Sequence, residues 1–371
     1  MKSIHEATEK DLGGILNHLN VGVYVTDTDR RIVFWNRRAE QITGFRAQEV
    51  VGHRCSANIL RHRDKMGHSL CASDLCPLYR SIVRRTPSES PILVYAMSKE
   101  GRNLALSVST APLIAEDGQV IGGVEVFQDE GAAIQQMELA RSVQRQMLTE
   151  ALPVDDRVSF AVQYVPKELV SGDFYHVRRL SADQFIVFLA DAAGHGVSAA
   201  LSTALIYSLL LECQGSAGDP VALMTQINER ACGRAPGLGF FTAVCIVLDA
   251  EQRTAAFCSA GHLPLLRQEA AGTVKALTGS QLPIGISASA TYEGASVCLE
   301  RGDRLLAYSD GATDIPTGGD ARLGTEGLRA LVTEHTPTKD PDMRELFDAL
   351  MRRCTAVEPE DDITLVSCIF R

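Results

Sequence analysis

From Phe185 to Leu211 the chain runs FIVFLA-DAAGHGV-SAALSTALIYSLLL. Phe185 to Leu189 are five consecutive apolar residues, the pattern of a fully buried strand. Asp191 stands where that strand ends. Gly194 and Gly196 follow, so the backbone can turn tightly and approach a ligand closely. The segment from Val197 to Leu211 carries no charge and reads as a core helix. A carboxylate placed where a core strand emerges is costly unless it is paired or bound to a metal. Taken alone, the stretch suits Asp191 as a helix cap as well as it suits Asp191 as a ligand.

The 371 residues are enough for two or three domains. The hydrophobic content of 45% and the 22% of charged residues are those of ordinary globular domains. A net charge of -10 offers no basic face, so no nucleic-acid partner is expected. The N-terminal MKSIHEATEKDL lacks the apolar segment of a secretory signal. No apolar run reaches the roughly 18 residues of a membrane span. The expectation is a cytoplasmic protein with no membrane partner. Its 10 cysteines then read as reduced thiols.

In residues 1–130, VGVYVTDTDRRIVFWN alternates and turns at Asp27-Thr28-Asp29, a hairpin signal. NRRAEQITGF reads as a short helix opening at Asn36 and closing at Gly44. PILVYAMS, NLALSVSTAPLI and VIGGVEVFQDE are three strands separated by the turn sequences KEGR and EDGQ. Two strands, short helices and three antiparallel strands, together with the VVGHRC segment, resemble a PAS sensor domain. That resemblance implies a five-stranded antiparallel sheet with helices.

Within it, CSANILRHRDKMGHSLCASDLCPL gathers Cys55, Cys71 and Cys76 in 22 positions, with His53, His62 and His68 nearby. Three thiolates and one imidazole would complete a tetrahedral zinc site or an iron-sulfur ligand set. The segment also resembles a PAS subgroup with a cysteine, a downstream histidine, then a Cys and a Cys-Pro-Leu; the best-matching histidine is His62. Buried apolar thiols explain the same cysteines equally well. Flavin is not expected: Ser56, Ala57, Ile59 and Leu106 stand where photoreceptor PAS domains carry flavin-contacting polar side chains.

Residues 131–152 have no strand signal and consist of strong helix formers. Ile134, Met137, Arg141, Gln144 and Leu148 keep a 3-4 spacing, a short heptad-like seam. It predicts either a helix packed on its neighbours or a signalling helix that pairs with its copy in a homodimer.

Residues 153–371 are strand-rich, with two pairs of helices. FAVQYVP, HVRRL, QFIVFLA, GFFTAVCIVLDAE, RTAAFCSAGHLPLLR, TVKALT, TYEGASVCLE, DRLLAYSDGAT and DITLVSCIF read as strands; Val197 to Cys213, Pro220 to Cys232, Leu323 to Thr333 and Asp342 to Cys354 read as helices. The fold class is α+β, antiparallel sheets covered by helices. Asp173, Asp191, Asp310, Asp361 and Asp362 all stand at strand ends beside Gly or another acid, so each can point into a common cleft. Hard carboxylate oxygens without clustered His or Cys favour Mg²⁺ or Mn²⁺ over zinc. Cations held there could activate a water and neutralise a phosphoryl group.

VSGDFY, LADAAGHGVSAA, FFTAVCIVLD, SAGHLPLLR, LPIGI, GDRLLAYSDGATD and EDDITLV, in this order, resemble a PPM-type metal-dependent protein serine/threonine phosphatase of the SpoIIE and RsbU type. The resemblance implies an αββα sandwich and two Mn²⁺ or Mg²⁺ ions. Asp191 would bridge the ions, and the backbone carbonyl of Ala192 would ligate one. Asp310 and Asp361 would ligate the other, Asp173 would bind directly or through water, and Asp362 would support the site. Asp191 and Asp310 are the catalytic candidates. Ser171 stands where the family usually has Gly, and His176 where Asp is common, which implies two ions and not three. His195 is a candidate general acid or a turn residue, and His262 shapes a hairpin. Arg157, Arg178 and Arg179 are either phosphate clamps or solvated surface residues.

The implied activity is hydrolysis of phosphoserine or phosphothreonine on a partner, a STAS-type anti-anti-sigma factor, through a metal-activated water. A catalytically silent module that sequesters its partner and a small-molecule phosphatase are the alternatives.

Overall fold

The computed structural model describes residues 9–57, 59–71, 73–148, 151–194, 196–234, 239–279, 281–335, 343–356 and 359–371. The chain divides into two compact units, Met1–Gln136 and Met137–Arg371.

The first unit contains α1 (Glu9–Asn17), β1 (Gly22–Asp27), β2 (Ile32–Trp35), α2 (Arg37–Thr43), α3 (Ala47–Val50), α4 (Pro77–Arg84), β3 (Ile92–Met97), β4 (Asn103–Ile114) and β5 (Val120–Asp129). The strands form one antiparallel sheet in the order β2-β1-β5-β4-β3. As the sequence predicts, Asn36 opens α2: its side chain accepts the Ala39 N–H at 2.8 Å, and Gly44 closes the helix with φ 77°. Asn36 is buried and also accepts the Val23 N–H at 2.9 Å, tying the helix start to β1. One face of the sheet carries Tyr24, Trp35, Leu106 and Phe127 into a core closed by Ile42, Val50 and Leu78.

Helix α5 (Gly131–Leu148) follows, then the second unit: β6 (Val158–Val165), β7 (Asp173–Arg179), β8 (Gln184–Ala192), α6 (Val197–Glu212), α7 (Pro220–Arg234), β9 (Phe241–Asp249), β10 (Thr254–Ala260), β11 (Leu265–Gln268), β12 (Val274–Leu277), β13 (Gly294–Cys298), β14 (Arg304–Tyr308), the hairpin β15 (Pro316–Gly318) and β16 (Ala321–Arg322), α8 (Gly324–Glu334), α9 (Arg344–Arg353) and β17 (Ile363–Phe370). Two five-stranded antiparallel sheets have the orders β13-β10-β9-β8-β7 and β12-β11-β14-β17-β6.

Period-two alternation assigns the faces. Phe185, Val187 and Leu189 of β8 meet Leu305, Ala307, Val366 and Cys368 of the other sheet in a core between the two. Ile186, Phe188 and Ala190 point the other way, against Ile206, Leu209, Leu223 and Ile227 of α6 and α7. That is why the β8 sequence is apolar without alternation: both faces are covered. On the far side Leu306, Tyr308 and Leu365 pack on Leu328, Leu331, Leu346 and Leu350 of α8 and α9. The layers are helices, sheet, sheet, helices.

One local expectation is corrected, and a second is met in one of its two forms. RTAAFCSAGHLPLLR is not one strand. It crosses from one sheet to the other between Ala260 and Leu265, where Gly261 has φ 68° and a Cβ would come within 2.5 Å of Pro283. The α5 seam meets its own chain at its C-terminal end: Leu148 is buried in the core beneath α6 and α7, and Gln144 is buried too. Leu139 and Val143 are the exposed apolar residues of that helix.

Candidate metal centre

The alternation that builds the core also builds a cleft at one end of it. In β8 the inner face continues from Leu189 to Asp191. In β7 it runs from Val177 to Asp173. The two strands pair antiparallel with Asp173 directly opposite Asp191, and Thr242 of β9 flanks Asp191 on the other side. In the second sheet the inner parity continues to Ser309 beyond β14 and to Thr364 in β17. The sheets therefore present Asp173, Asp191, Thr242, Ser309 and Thr364 to the same end of the interlayer space.

Hydrogen bonds lock this arrangement across the layers. The Thr364 hydroxyl donates to Asp173 Oδ2 at 2.5 Å, and the Ser309 hydroxyl accepts the Thr364 N–H at 2.9 Å. Ser309 also donates to the Asp362 carbonyl at 3.2 Å. Asp310 opens a short 3-10 turn, Asp310–Ala312, immediately beyond β14. Gly311 allows this turn to lie against the start of β17: a Cβ there would stand 2.0 Å from the Asp362 carbonyl oxygen. Only glycine brings Asp310 beside Asp361 and Asp362.

Asp362 turns away from solvent and organises backbone. Its carboxylate accepts the N–H of Lys167 at 2.7 Å and of Gly172 at 2.8 Å, and its own N–H donates to Asp361 Oδ1 at 2.8 Å. Gly172 has a second constraint. A Cβ on it would approach the Ala192 carbonyl oxygen at 3.1 Å, so the glycine leaves that carbonyl uncovered.

The electrostatics follow from this packing. Burial, then the charge of Asp191, hold the Asp173 carboxyl well above the usual carboxylate range. Burial, with Asp310, Asp361 and Asp362 behind it, raises Asp191 to about 8. Burial and Asp361 raise Asp310 to about 6. Two ionised carboxylates about 5 Å apart repel by about 3 kcal/mol at an effective dielectric of about 20. One hydrogen bond from Thr364 returns about 1–3 kcal/mol, which does not outweigh several such repulsions. A divalent cation does.

Among the described residues, no three His, Cys, Asp or Glu side chains are already gathered closely enough to hold an ion. The donor chemistry nevertheless fits hard divalent cations: carboxylate oxygens that raise one another's pKa and a carbonyl kept open by a glycine. Asp173, Asp191, Asp310 and Asp361 border one cleft with the Ala192 carbonyl, and Asp362 props the backbone behind it. His195 lies outside the described residues.

Several other expectations change. His176 stands three residues from Asp173 on the same strand, so its side chain is on the opposite, helix-covered face, and its identity does not bear on the cleft. Arg157 binds Asp155 and Asp183, and Arg179 binds Asp155, so neither is available as a phosphate clamp. His262 is buried at the crossing between the sheets, with Nδ1 2.9 Å from the Thr242 hydroxyl.

The sequence marked Gln144 as a seam position and did not point to its role beside the cleft. Its amide donates to the Ser171 carbonyl at 2.7 Å and the Thr203 hydroxyl at 2.9 Å, and its oxygen accepts the Ser171 N–H at 3.1 Å. It thereby ties α5 to the residues that lead into Asp173. An uncharged polar residue on an inward-spaced helix position was the available signal.

Comparison with known proteins agrees with this architecture. Residues 181–371 match the family described as Stage II sporulation protein E (SpoIIE), and residues 16–135 match a PAS fold. Phosphoserine phosphatase RsbP of Bacillus subtilis is 27% identical over 232 residues, 61% of this chain and 56% of that protein. Phosphoserine phosphatase RsbU of the same organism is 25% identical over 233 residues, 62% of this chain and 69% of that one. The chain thus spans little more than half of RsbP. Among solved structures, the SiaA-PP2C domain of Pseudomonas aeruginosa superposes with a TM-score of 0.58 at 23% identity, covering 65% of this chain and all of that one. The RsbU and RsbW domains of Rv1364c from Mycobacterium tuberculosis give 0.52 at 26%, covering 60% and 64%.

Proposed function

We propose that this chain, which belongs to the Stage II sporulation protein E family, is a metal-dependent phosphatase that hydrolyses phosphoserine or phosphothreonine on a partner protein. The observation that carries the reading is the convergence of Asp173, Asp191, Asp310 and Asp361 from two sheets on one cleft, with their mutual repulsion unanswered by any cationic side chain described there. Asp191, Asp310, Asp361 and the Ala192 carbonyl would hold two Mn²⁺ or Mg²⁺ ions, with Asp173 behind Asp191. Bound there, such ions supply an activated water and neutralise charge on the phosphoryl oxygens.

The protein's own contribution is to position these groups. The Asp173–Asp191 register fixes two carboxylates on one face, and Thr364 holds Asp173 in place. Asp362 pins Gly172, and Gly311 sets the separation of Asp310 from Asp361. The substrate enters from the solvent end of the sandwich, where the cleft opens beyond the strand ends.

Two relatives of similar length in the matched region are named phosphoserine phosphatases. This supports phosphoserine as the group hydrolysed; we take it to be carried on a partner protein, a STAS-type anti-anti-sigma factor. The PAS unit supplies regulation, and α5 connects the two units. No described helix is long and apolar enough to cross a membrane.

Asp191→Ala or Asp310→Ala should lower Mn²⁺-dependent hydrolysis of a phosphoserine protein at least about a thousandfold, since each change removes an electrostatic contact to the transition state. The circular dichroism should be unchanged. Full activity in either variant, or wild-type hydrolysis undiminished by chelator, would sink the assignment.

A further inference from the structure

Outside the acid cleft, the most conspicuous unanswered polar groups lie in the PAS unit. Glu125 is on β5, directly opposite Tyr24 of β1, on the face that carries Phe127 into the core. It is completely buried. The Tyr24 hydroxyl is set against its carboxyl, and among the described residues no cationic group answers it; His62 Nε2, 3.7 Å from Glu125 Oε1, has no hydrogen-bond partner. His62 is itself 3% exposed. Leaving such groups unpartnered costs about 1–3 kcal/mol each. A core retains them at that cost when something else satisfies them.

Beside them is a cavity of about 10 Å³ walled by Cys55, Cys71, Cys76, His62, Tyr24 and Arg30. Three sulfurs and an imidazole from one 22-residue segment thus line the cavity, and the Glu125 carboxyl of β5 stands beside the imidazole. We propose that this cluster binds a single soft or borderline divalent cation through the sulfurs of Cys55, Cys71 and Cys76 and His62 Nε2, with Glu125 within reach as a fifth donor.

Donor type selects the class of ion. Thiolate and imidazole suit zinc or ferrous iron and not magnesium or calcium. Size selects the nuclearity. About 10 Å³ is close to the smallest space that takes one water, so a single ion is the occupant that displaces the packing least.

Burial raises the Cys55 thiol to about 12 and the Cys71 thiol to about 11, and lifts Cys76 as well, so the metal-free cluster holds thiols and a cation must drive their ionisation; three local groups lower that cost. The His62 N–H donates to Cys71 Sγ at 3.1 Å. Cys76 is the N-cap of α4, where the helix amides face it. Arg30 lines the cavity, with its guanidinium 4.9 Å above the Tyr79 ring. On binding, the three thiol protons leave to solvent and the cation takes their place. The sulfurs are not yet gathered at a common point; side-chain rotation about the cavity closes the set. This inference is independent of the phosphatase reading.

The test uses reduced full-length protein, stripped with chelator and titrated with Co²⁺ alone. The expected result is thiolate-to-cobalt charge-transfer absorption with tetrahedral d–d bands, saturating at one equivalent. The bands should persist in an Asp191→Ala, Asp310→Ala protein, which removes the carboxylate site. They should persist in Cys298→Ser, since Cys298 is exposed and distant in sequence. They should vanish in Cys71→Ser and in Cys76→Ser. Glu125→Gln should keep the bands with binding at least about tenfold weaker. Absence of the charge-transfer band in the wild type, or its survival in all three variants Cys55→Ser, Cys71→Ser and Cys76→Ser, overturns the proposal. If the cysteine variants misfold, X-ray absorption of the wild-type cobalt protein decides: three sulfur scatterers support the site, and an all-oxygen shell overturns it.

Discussion

The acid cleft of the second unit and the thiol-imidazole-carboxyl cluster of the first both bury ionisable groups with too few partners to answer their charge, but they do so differently. The cleft sits at the end of a sandwich, and its carboxylates are spread over strand ends that open to solvent. The cluster lies at the edge of a core, with Cys71 half-buried, and its groups stand on strand, loop and helix start. The cleft's difficulty is repulsion among like charges, whereas the cluster's is desolvation. A cleft with repulsion can exchange water and substrate. A narrow cluster against a core can hold only something small, and its occupant would alter the packing of the sheet beside it.

The comparison can be broken at several points. The largest effect after loss of Asp191 or Asp310 is expected at Gly311. Gly311→Ala forces a Cβ against the Asp362 carbonyl, so the Asp310 turn must move away from β17. Activity should fall about a hundredfold, the effect of a displacement of about 1 Å at a catalytic group. Steady-state kinetics at saturating Mn²⁺ would measure it; an unchanged rate would show that the turn does not set the cleft.

The pH dependence of the metal-free protein reads the buried groups of both regions. Asp191 is raised to about 8 and Asp310 to about 6, both above their unfolded values. Their stabilising contribution is full below about pH 4 and is lost as pH rises through 6 and then 8. Glu125, raised to about 8 by burial, acts in the same direction. His62, lowered to about 4 by burial, acts oppositely: its contribution is present above about pH 6.5 and is lost as pH falls toward 4. Metal-free protein should therefore melt lower at pH 8 than at pH 6. Asp191→Asn should flatten that slope, and Mn²⁺ should abolish most of it. A melting temperature that rises from pH 6 to pH 8 without metal would contradict the cleft's electrostatics.

A smaller effect is expected at Gln144. Gln144→Ala removes three buried hydrogen bonds between α5, Ser171 and Thr203. The expected loss is about 2–3 kcal/mol of stability with weaker Mn²⁺ activation, because Ser171 leads into Asp173. Chemical denaturation and a Mn²⁺ titration of activity read the two parts. The smallest effect is at His176. It faces the helix layer, so His176→Asn should leave Mn²⁺ dependence within about twofold; a larger change would mean that β7 presents the opposite face.

The cleft was the more legible region. Each of Asp173, Asp191, Asp310, Asp361 and Asp362 adjoins an apolar run in the sequence, so a local pattern marked each one. The supporting groups were less visible. Ser309 and Thr364 are small polar residues at strand positions that any sheet tolerates. Gln144 looked like a seam position for a partner helix, because spacing shows that a face is inward without showing what it meets. In the PAS unit the three cysteines and His62 were visible as a cluster in sequence. Glu125 was not, because VEV in a strand does not reveal which face is buried until Tyr24 and Phe127 fix it.

The sequence by itself determined the two units, the strand and helix types, and the acids that terminate strands. Periodicity and turn chemistry are local, and local forces write them. Tertiary structure alone decided that Asp173 stands opposite Asp191, that Asp310 lies against Asp361 through a glycine contact, and that Glu125 meets His62 among three thiols. These depend on strand register and on close approach between segments up to about two hundred residues apart, and no local propensity encodes either.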